Sequence, residues 1–334
     1  MTHTRPSGSP RAPIPHTRFT AEDLAARKRS AGRSVSVVIP ARDEAATVGE
    51  VAGTLHRTLC QHVGLVDEVL VVDAGSTDAT GERARRAGAR VVRQAEVLAE
   101  HGDAPGKGEA MWKGLAASRG DLVVFVDADV VDIGPRFVTG LLGPLLTDPT
   151  VAFVKACYDR PLHLDGHHRE RGGGRVTELL VRPLLATLWP HLATLIQPLA
   201  GEVAASRTLL ASLPFERGYG VELAMLLDVA AQHGGDAIAQ VDLGRRVHVH
   251  QPLDALGRMA TELLQVALAR APTDAGGDGE GAAISATLLP QPVRSDAGDL
   301  RLIPHGIERG QRPPLMQVWP RPTGEVTNHG DHAS

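Results

Sequence analysis

The sequence predicts an α/β fold built on a mostly parallel, doubly wound sheet, and three observations carry that expectation. Short apolar runs rich in β-branched residues recur at 35–39 (VSVVI), 68–72 (EVLVV) and 122–126 (LVVFV), the pattern of strands buried on both faces. Between them lie stretches with helical spacing, such as Val48, Val51, Ala52, Leu55 and Leu59. Each run ends abruptly in polar and turn-forming residues: Pro40 to Glu44, Asp73 to Asp78, and Asp127 to Asp129. Strand and helix in alternation build parallel βαβ units, and such sheets bind ligands beyond the carboxyl ends of their strands.

The elements follow in order. The first run leads through PARDE into a helix whose start, Thr47 and Glu50, fits a Ser/Thr-x-x-Glu capping box. The second ends in DAGSTD, where Asp73 marks the strand end, Gly75 can take the positive φ of a tight turn, and Thr77 or Asp78 caps the next helix. A short strand over 89–93 follows, and Pro105-Gly106-Lys107-Gly108 introduces a helix around 111–117. The most informative stretch is 121–129, DLVVFVDAD. Two carboxylates two positions apart at the end of a buried strand are hard oxygen donors, suited to Mg2+ or Mn2+ carrying a diphosphate. A fifth strand is expected over 153–158 (FVKACY), then a polar loop. In GGGRVTEL, 172–179, glycines with Arg175 and Thr177 at a helix start make an anion site. QPLAGE at 197–202 forms a tight turn, FERGYGVELAMLLD at 215–228 sets Glu222 beside an apolar helix face, and VDLGRRVHVH at 241–250 ends in a His-rich strand.

VVIPARDEAAT, VVDAGSTDAT, PGKG and VFVDAD, in that order, resemble the nucleotide-binding half of a GT-A glycosyltransferase. That fold pairs a Rossmann-like half, here 34–150, with an acceptor-binding half, here 151–271. On the donor side, Pro40 stiffens the loop lining a nucleobase cleft, with Ala41 beside it and Ser76 in the facing loop. Glu44 can bond the ribose hydroxyls and Asp73 the base edge, while Lys107 reaches base or phosphate and Asp127 faces the ribose. Plain helix capping by Glu44 and Asp78, and a solvated Lys107, are the alternatives.

GGGRVTEL, PLAGE, GYGVEL and DLG-x-R-x-H narrow the resemblance to the glucosyl-3-phosphoglycerate synthases, over roughly 34–270, with a short echo at RPPLM, 312–316. The resemblance implies transfer of glucose from UDP-glucose, or another NDP-glucose, to the 2-hydroxyl of 3-phosphoglycerate with the α configuration kept. The product, glucosyl-3-phosphoglycerate, would feed glucosylglycerate or methylglucose polysaccharide synthesis. It further implies Asp129 and His248 as ligands of Mg2+ or Mn2+, and Arg246 as the neutraliser of diphosphate charge. Gly174, Arg175, Thr177 and His250 would hold the acceptor, and Tyr219 and Glu222 would border glucose and acceptor. The Leu199 backbone would lie where the acceptor hydroxyl meets the anomeric carbon. Two mechanisms stay open: front-face attack with a donor phosphate oxygen taking the acceptor proton, and Glu222 as nucleophile. The chain departs from the family at Asp43, where Asn is usual, and at His250, where relatives often carry Asn.

Bulk properties fit a small-molecule enzyme. At 334 residues and 43% hydrophobic content the chain can bury a large core. A net charge of −4 argues against a nucleic-acid partner. Aromatics at 3% leave no extended sugar-stacking platform, which suits a small acceptor. Cys60 and Cys157 match no disulfide or metal spacing and read as reduced cysteines of a cytoplasmic protein. Residues 1–33 and 272–334 read as disordered tails, although Leu288, Leu289 and 316–319 could dock on the body or a second subunit. The resemblance implies a homodimer. The apolar window 179–200 approaches membrane-span length but is broken by Arg182, Pro183, Pro190, His191 and Pro198, so two short core helices are expected. The rivals are a polyprenyl-phosphate glycosyltransferase docking on a membrane and a mannosyl-3-phosphoglycerate synthase.

Overall fold

In the computed structural model, residues 7–159, 162–164, 167–169, 174–246, 253–272, 288–294, 300–307 and 310–318 are described. In chain order the first half runs β1 (Ile14–Pro15), α1 (Ala21–Ser30), β2 (Val35–Ala41), α2 (Val48–Leu55), β3 (Glu68–Asp73), α3 (Thr80–Arg86), β4 (Arg90–Arg93), α4 (Lys107–Ala117), β5 (Leu122–Phe125) and α5 (Arg136–Thr147). The second half runs β6 (Phe153–Asp159), the hairpin of β7 (Leu162–Leu164) and β8 (His167–Arg169), α6 (Arg182–Leu188), β9 (Val203–Ser206), α7 (Arg207–Ser212), β10 (Phe215–Glu216), α8 (Val221–His233), β11 (Ile238–Arg245) and α9 (Leu253–Ala269). Last come β12 (Leu288–Arg294), β13 (Leu300–Gly306), β14 (Gln311–Arg312) and α10 (Leu315–Val318).

An eight-stranded sheet in the order β1-β11-β6-β9-β5-β2-β3-β4 forms the centre. Its pairings are parallel except at β9, which runs antiparallel between β5 and β6. Alternation along the strands splits the core into two faces. Val38, Leu70, Val72 and Phe125 pack with Met111 and Trp112 of α4 on one side. Val37, Ile39, Val69 and Val71 pack with Val51 and Leu55 of α2 and Phe137 of α5 on the other. Burying each such side chain contributes roughly 1.5–3 kcal/mol. Register then aligns the strand ends: Ala41 sits opposite Asp73, and Val38 opposite Phe125. The polar residues that follow β2 and β5 therefore emerge along one edge of the sheet.

Two expectations are corrected. Residues 7–33, expected to lack order, pack on the body. Ile14 of β1 pairs with Val241 of β11, and Leu24 and Ala25 of α1 are buried. Lys28 reaches Asp67 at 2.7 Å. The 272–334 tail is likewise not structureless where it is described: β12 and β13 form an antiparallel hairpin, and β14 pairs with β10. Trp112 Nε1 donates to the Pro313 carbonyl at 3.0 Å, and Arg312 reaches the wholly buried Glu109. Each end is held by a few buried apolar residues, such as Leu24 and Leu315, together with polar pairs, so composition reads them as tails.

The apolar window resolves into a wide turn over Thr177–Val181, α6 and a short 3-10 turn over Pro190–Leu192, with Leu185, Leu192 and Leu195 buried. Among the described residues no helix is long and apolar enough to cross a membrane. Cys60 and Cys157 are both free, and burial lifts their thiols to about 11 and about 12.

Candidate active site

A cleft of about 670 Å³ opens at the carboxyl edge of the sheet. The loop after β2 gives it Pro40, Ala41 and Glu44; the loop after β5 gives Asp127 and Asp129; Arg246 follows β11. Lys107 projects from the first turn of α4, Glu222 from the first turn of α8, and Tyr219 from the loop before it. The cleft is also lined by Gly174, Arg175, Thr177 and Leu199, and by Leu256, Met259 and Glu262 of α9.

Close packing sets Lys107. Gly106 adopts φ 118°, a glycine-only conformation ahead of α4. Gly108 lies so tightly on the Glu216 carbonyl that no Cβ fits. The Lys107 ammonium bridges Asp127 at 2.5 Å and Glu222 at 2.7 Å. Across the cleft floor, the Arg246 guanidinium donates to Asp127 at 3.0 Å and to Asp129 at 2.9 Å. Its other end meets the Tyr158 hydroxyl at 2.7 Å and Glu202 at 2.8 Å, and Tyr158 donates to Glu202 at 2.9 Å.

Charge stays fixed in this network. Burial disfavours the Lys107 ammonium, but Asp127 and Glu222 outweigh it and lift its pKa above the ordinary lysine value. Burial likewise opposes the Asp127 carboxylate, and Lys107 and Arg246 override it to hold the group well below the usual carboxylate range. Burial first, then the charge of Asp129, raises Glu44. Burial also raises Glu262, which accepts from the Tyr219 amide at 2.9 Å.

Asp73 and Ser76, expected in contact with the donor, do not line the cleft. Asp73 accepts from the Ser76 amide at 2.8 Å, and the Ser76 hydroxyl accepts from the Asp43 amide at 3.0 Å. Asp43 itself sits at φ 55°, tolerated by Asp and Asn, and accepts from the Thr77 amide at 2.7 Å. These bonds tie the loop after β2 to the loop after β3. An Asn side-chain carbonyl could accept the same bond. Asp78 accepts from the Thr80 amide at 2.9 Å and from the Ala45 amide at 3.0 Å, but it stands one residue ahead of Ala79, the N-cap of α3. His248 and His250 lie outside the described residues.

Three neighbours escaped the sequence reading: Tyr158, Glu202 and Lys155. A charged residue inside the apolar run FVKACY is the one signal for Lys155.

The donor set fits a hard divalent cation. Asp129 presents a carboxylate that is 47% exposed on the cleft wall. Mg2+ and Mn2+ take few protein ligands when substrate phosphates supply the others. Among the described residues no group of three or more His, Cys, Asp or Glu side chains forms a closed metal cage.

Residues 36–200 match the profile of glycosyl transferase family 2. A glucosyl-3-phosphoglycerate synthase from Mycolicibacterium smegmatis is 46% identical over 303 residues, spanning 91% of this chain and 95% of its own length. The chain belongs to the glucosyl-3-phosphoglycerate synthase family. The crystal structure of the Mycobacterium tuberculosis glucosyl-3-phosphoglycerate synthase with Mn2+, UDP and glucosyl-3-phosphoglycerate matches with a TM-score of 0.79 at 42% identity, covering 93% of this chain and 99% of that one. A mannosyl-3-phosphoglycerate synthase from Rubrobacter xylanophilus matches with a TM-score of 0.82 at 40% identity, covering 91% and 96%. The sheet of this chain is the GT-A arrangement that the strand pattern predicts.

Proposed function

We propose that this protein transfers glucose from UDP-glucose to the 2-hydroxyl of 3-phosphoglycerate with retention of the α configuration. The observation that carries this reading is one cleft with two kinds of anion site. Lys107 and Arg246, locked among carboxylates, line it together with Arg175 and Thr177. Fixed positive charge stabilises a departing diphosphate without reorganisation, and a guanidinium fork suits the phosphate of a small acceptor. The relative from M. tuberculosis, solved with UDP and glucosyl-3-phosphoglycerate, supports both substrates.

Solved relatives hold Mn2+ or Mg2+ together with UDP. Here Asp129 and His248 would hold such an ion, which supplies Lewis-acid neutralisation of the leaving diphosphate. Arg246 keeps Asp127 ionised and pairs with Asp129 at 2.9 Å, while Pro40 and Glu44 border the nucleoside. Glu222 is ion-paired with Lys107 at 2.7 Å, which blunts it as a nucleophile. Front-face transfer follows: the 2-hydroxyl oxygen bonds to the anomeric carbon as the diphosphate oxygen leaves, and that diphosphate takes the hydroxyl proton. Leu199 and Tyr219 flank the reacting groups.

Division into a donor half, 34–150, and an acceptor half, 151–271, completes the proposal with a homodimer in the cytoplasm. The two free cysteines are compatible with a reducing compartment.

Transfer of mannose to the same acceptor is the second reading, favoured by the match to the R. xylanophilus enzyme. The test is kcat/KM for UDP-, ADP- and GDP-glucose and GDP-mannose against 3-phosphoglycerate. UDP-glucose is expected to lead; preference for GDP-mannose overturns the glucose reading.

A further inference from the structure

Lys155 lies in the middle of β6, paired in register with Val203 of β9 and Gln240 of β11, and is 1% exposed. An ammonium at that depth needs a partner. Its Nζ donates to the Ala200 carbonyl at 2.8 Å. Ala200 stands in a segment that touches the site at each step. Leu199 lines the cleft, and Gly201 packs so closely on the Lys107 ammonium and the Asp127 carboxylate that no Cβ fits between them. Glu202 then pairs with Arg246 at 2.8 Å. Residues 199–202 thus carry the backbone between both fixed cations of the site, and Lys155 ties that backbone to the sheet.

We propose that Lys155 is a positioning residue of the transfer reaction, its ammonium fixing the Ala200 carbonyl so that the 199–202 backbone stays seated against Lys107 and Asp127. The inference rests on the proposed function. The charged groups facing Lys155 are Glu222 of α8, Lys107 of α4, Glu202 of the anchored segment and Asp127 beyond β5. Burial, opposed by Glu222 and reinforced by Lys107, lowers Lys155 to about 8. Above that pH the charge-assisted bond to Ala200 weakens to an amine–carbonyl bond, and the segment loosens.

The test is steady-state kinetics of the full chain with Mg2+, UDP-glucose and 3-phosphoglycerate from about pH 6.5 to 9.5. Wild type, Lys155→Met and Lys155→Arg are compared, with thermal midpoints measured alongside. In the wild type, kcat is expected to fall on an alkaline limb centred near pH 8 while both KM values stay flat. Lys155→Met lowers kcat about tenfold or more at neutral pH, because small displacements of reacting groups are costly, with both KM values within about threefold and the limb gone. Lys155→Arg keeps the charge, recovers part of the rate and shows no limb. A Lys155→Met variant that folds and keeps kcat within about twofold overturns the role, as does a loss confined to KM. If Lys155→Met does not fold, Lys155→Arg decides: loss of the alkaline limb with both KM values unchanged supports the role, and a profile identical to wild type overturns it. Wild-type turnover is a separate control: no product from 3-phosphoglycerate removes the proposed function together with this inference, whereas wild-type product with unaltered variants removes the inference alone.

Discussion

Arg246 and Asp127, separated by 119 positions in the chain, meet at 3.0 Å. Arg246 follows β11 and Asp127 follows β5, and β6 and β9 lie between those strands in the sheet. The guanidinium reaches across because Glu202 and Tyr158, from the intervening strands' ends, hold its far side. One side chain, 4% exposed, therefore joins the loop after β5 to the residue that follows β11.

Arg246→Lys keeps one positive charge but loses the planar fork that serves several oxygens at once. The expected outcome is a fall in kcat of about 100-fold with UDP-glucose and 3-phosphoglycerate, since electrostatic support for the leaving group is misdirected. Arg246→Met, which leaves the Glu202 and Asp127 carboxylates without the guanidinium, is expected to lose about 3–5 kcal/mol of stability in urea unfolding. An unchanged kcat in Arg246→Lys contradicts the role.

The Asp127 carboxylate carries a pH signature. Lys107 and Arg246 overcome its burial and depress its pKa below the ordinary 3.8, so its contribution to stability is full above that pH and is lost as pH falls toward the lowered value. Urea unfolding of wild type and Asp127→Asn is therefore expected to show a stability gap that is constant from about pH 7 to pH 4 and narrows below. A gap that already narrows between about pH 6 and 5 contradicts the depressed pKa.

Arg175→Ala removes a guanidinium from the cleft lining. The expected outcome is a KM for 3-phosphoglycerate raised about 10- to 100-fold, with the KM for UDP-glucose within about threefold. A normal acceptor KM sinks the assignment of Arg175 to the phosphate.

Arg312 ties the C-terminal segment to α4 through the wholly buried Glu109, and to the turn before α4 through the His101 carbonyl at 2.6 Å. Arg312→Ala leaves Glu109 without that guanidinium and is expected to cost about 3–5 kcal/mol in urea unfolding. A midpoint equal to wild type shows that the segment adds no stability to α4.

Strand positions were legible because β2, β3 and β5 are buried on both faces, which demands unbroken β-branched runs such as VSVVI and EVLVV. β9 was not legible: Val203–Ser206 is four small residues whose strand character comes from pairing with β5 and β6, not from propensity. α1 was missed because its apolar stripe is little more than Leu24 and Ala25. In the site, Lys107 and Asp127 stood out by position at element ends, and Arg246 came from the family resemblance. Tyr158, Glu202 and Lys155 did not, since their roles arise from the β6–β9 pairing, which linear spacing does not encode. Asp73 and Ser76 have the residue types of a donor site and are bonded to each other, with the Ser76 hydroxyl also joining the loop after β2.

The central claim is glucosyl transfer to 3-phosphoglycerate, and the most direct test is the product of wild-type protein incubated with UDP-glucose, 3-phosphoglycerate and Mg2+. Mass and anomeric NMR coupling are read together. The account predicts a single α-linked glucosyl-3-phosphoglycerate; donor hydrolysis without a glycosidic product, a β-linked product, or transfer to polyprenyl phosphate instead would contradict it.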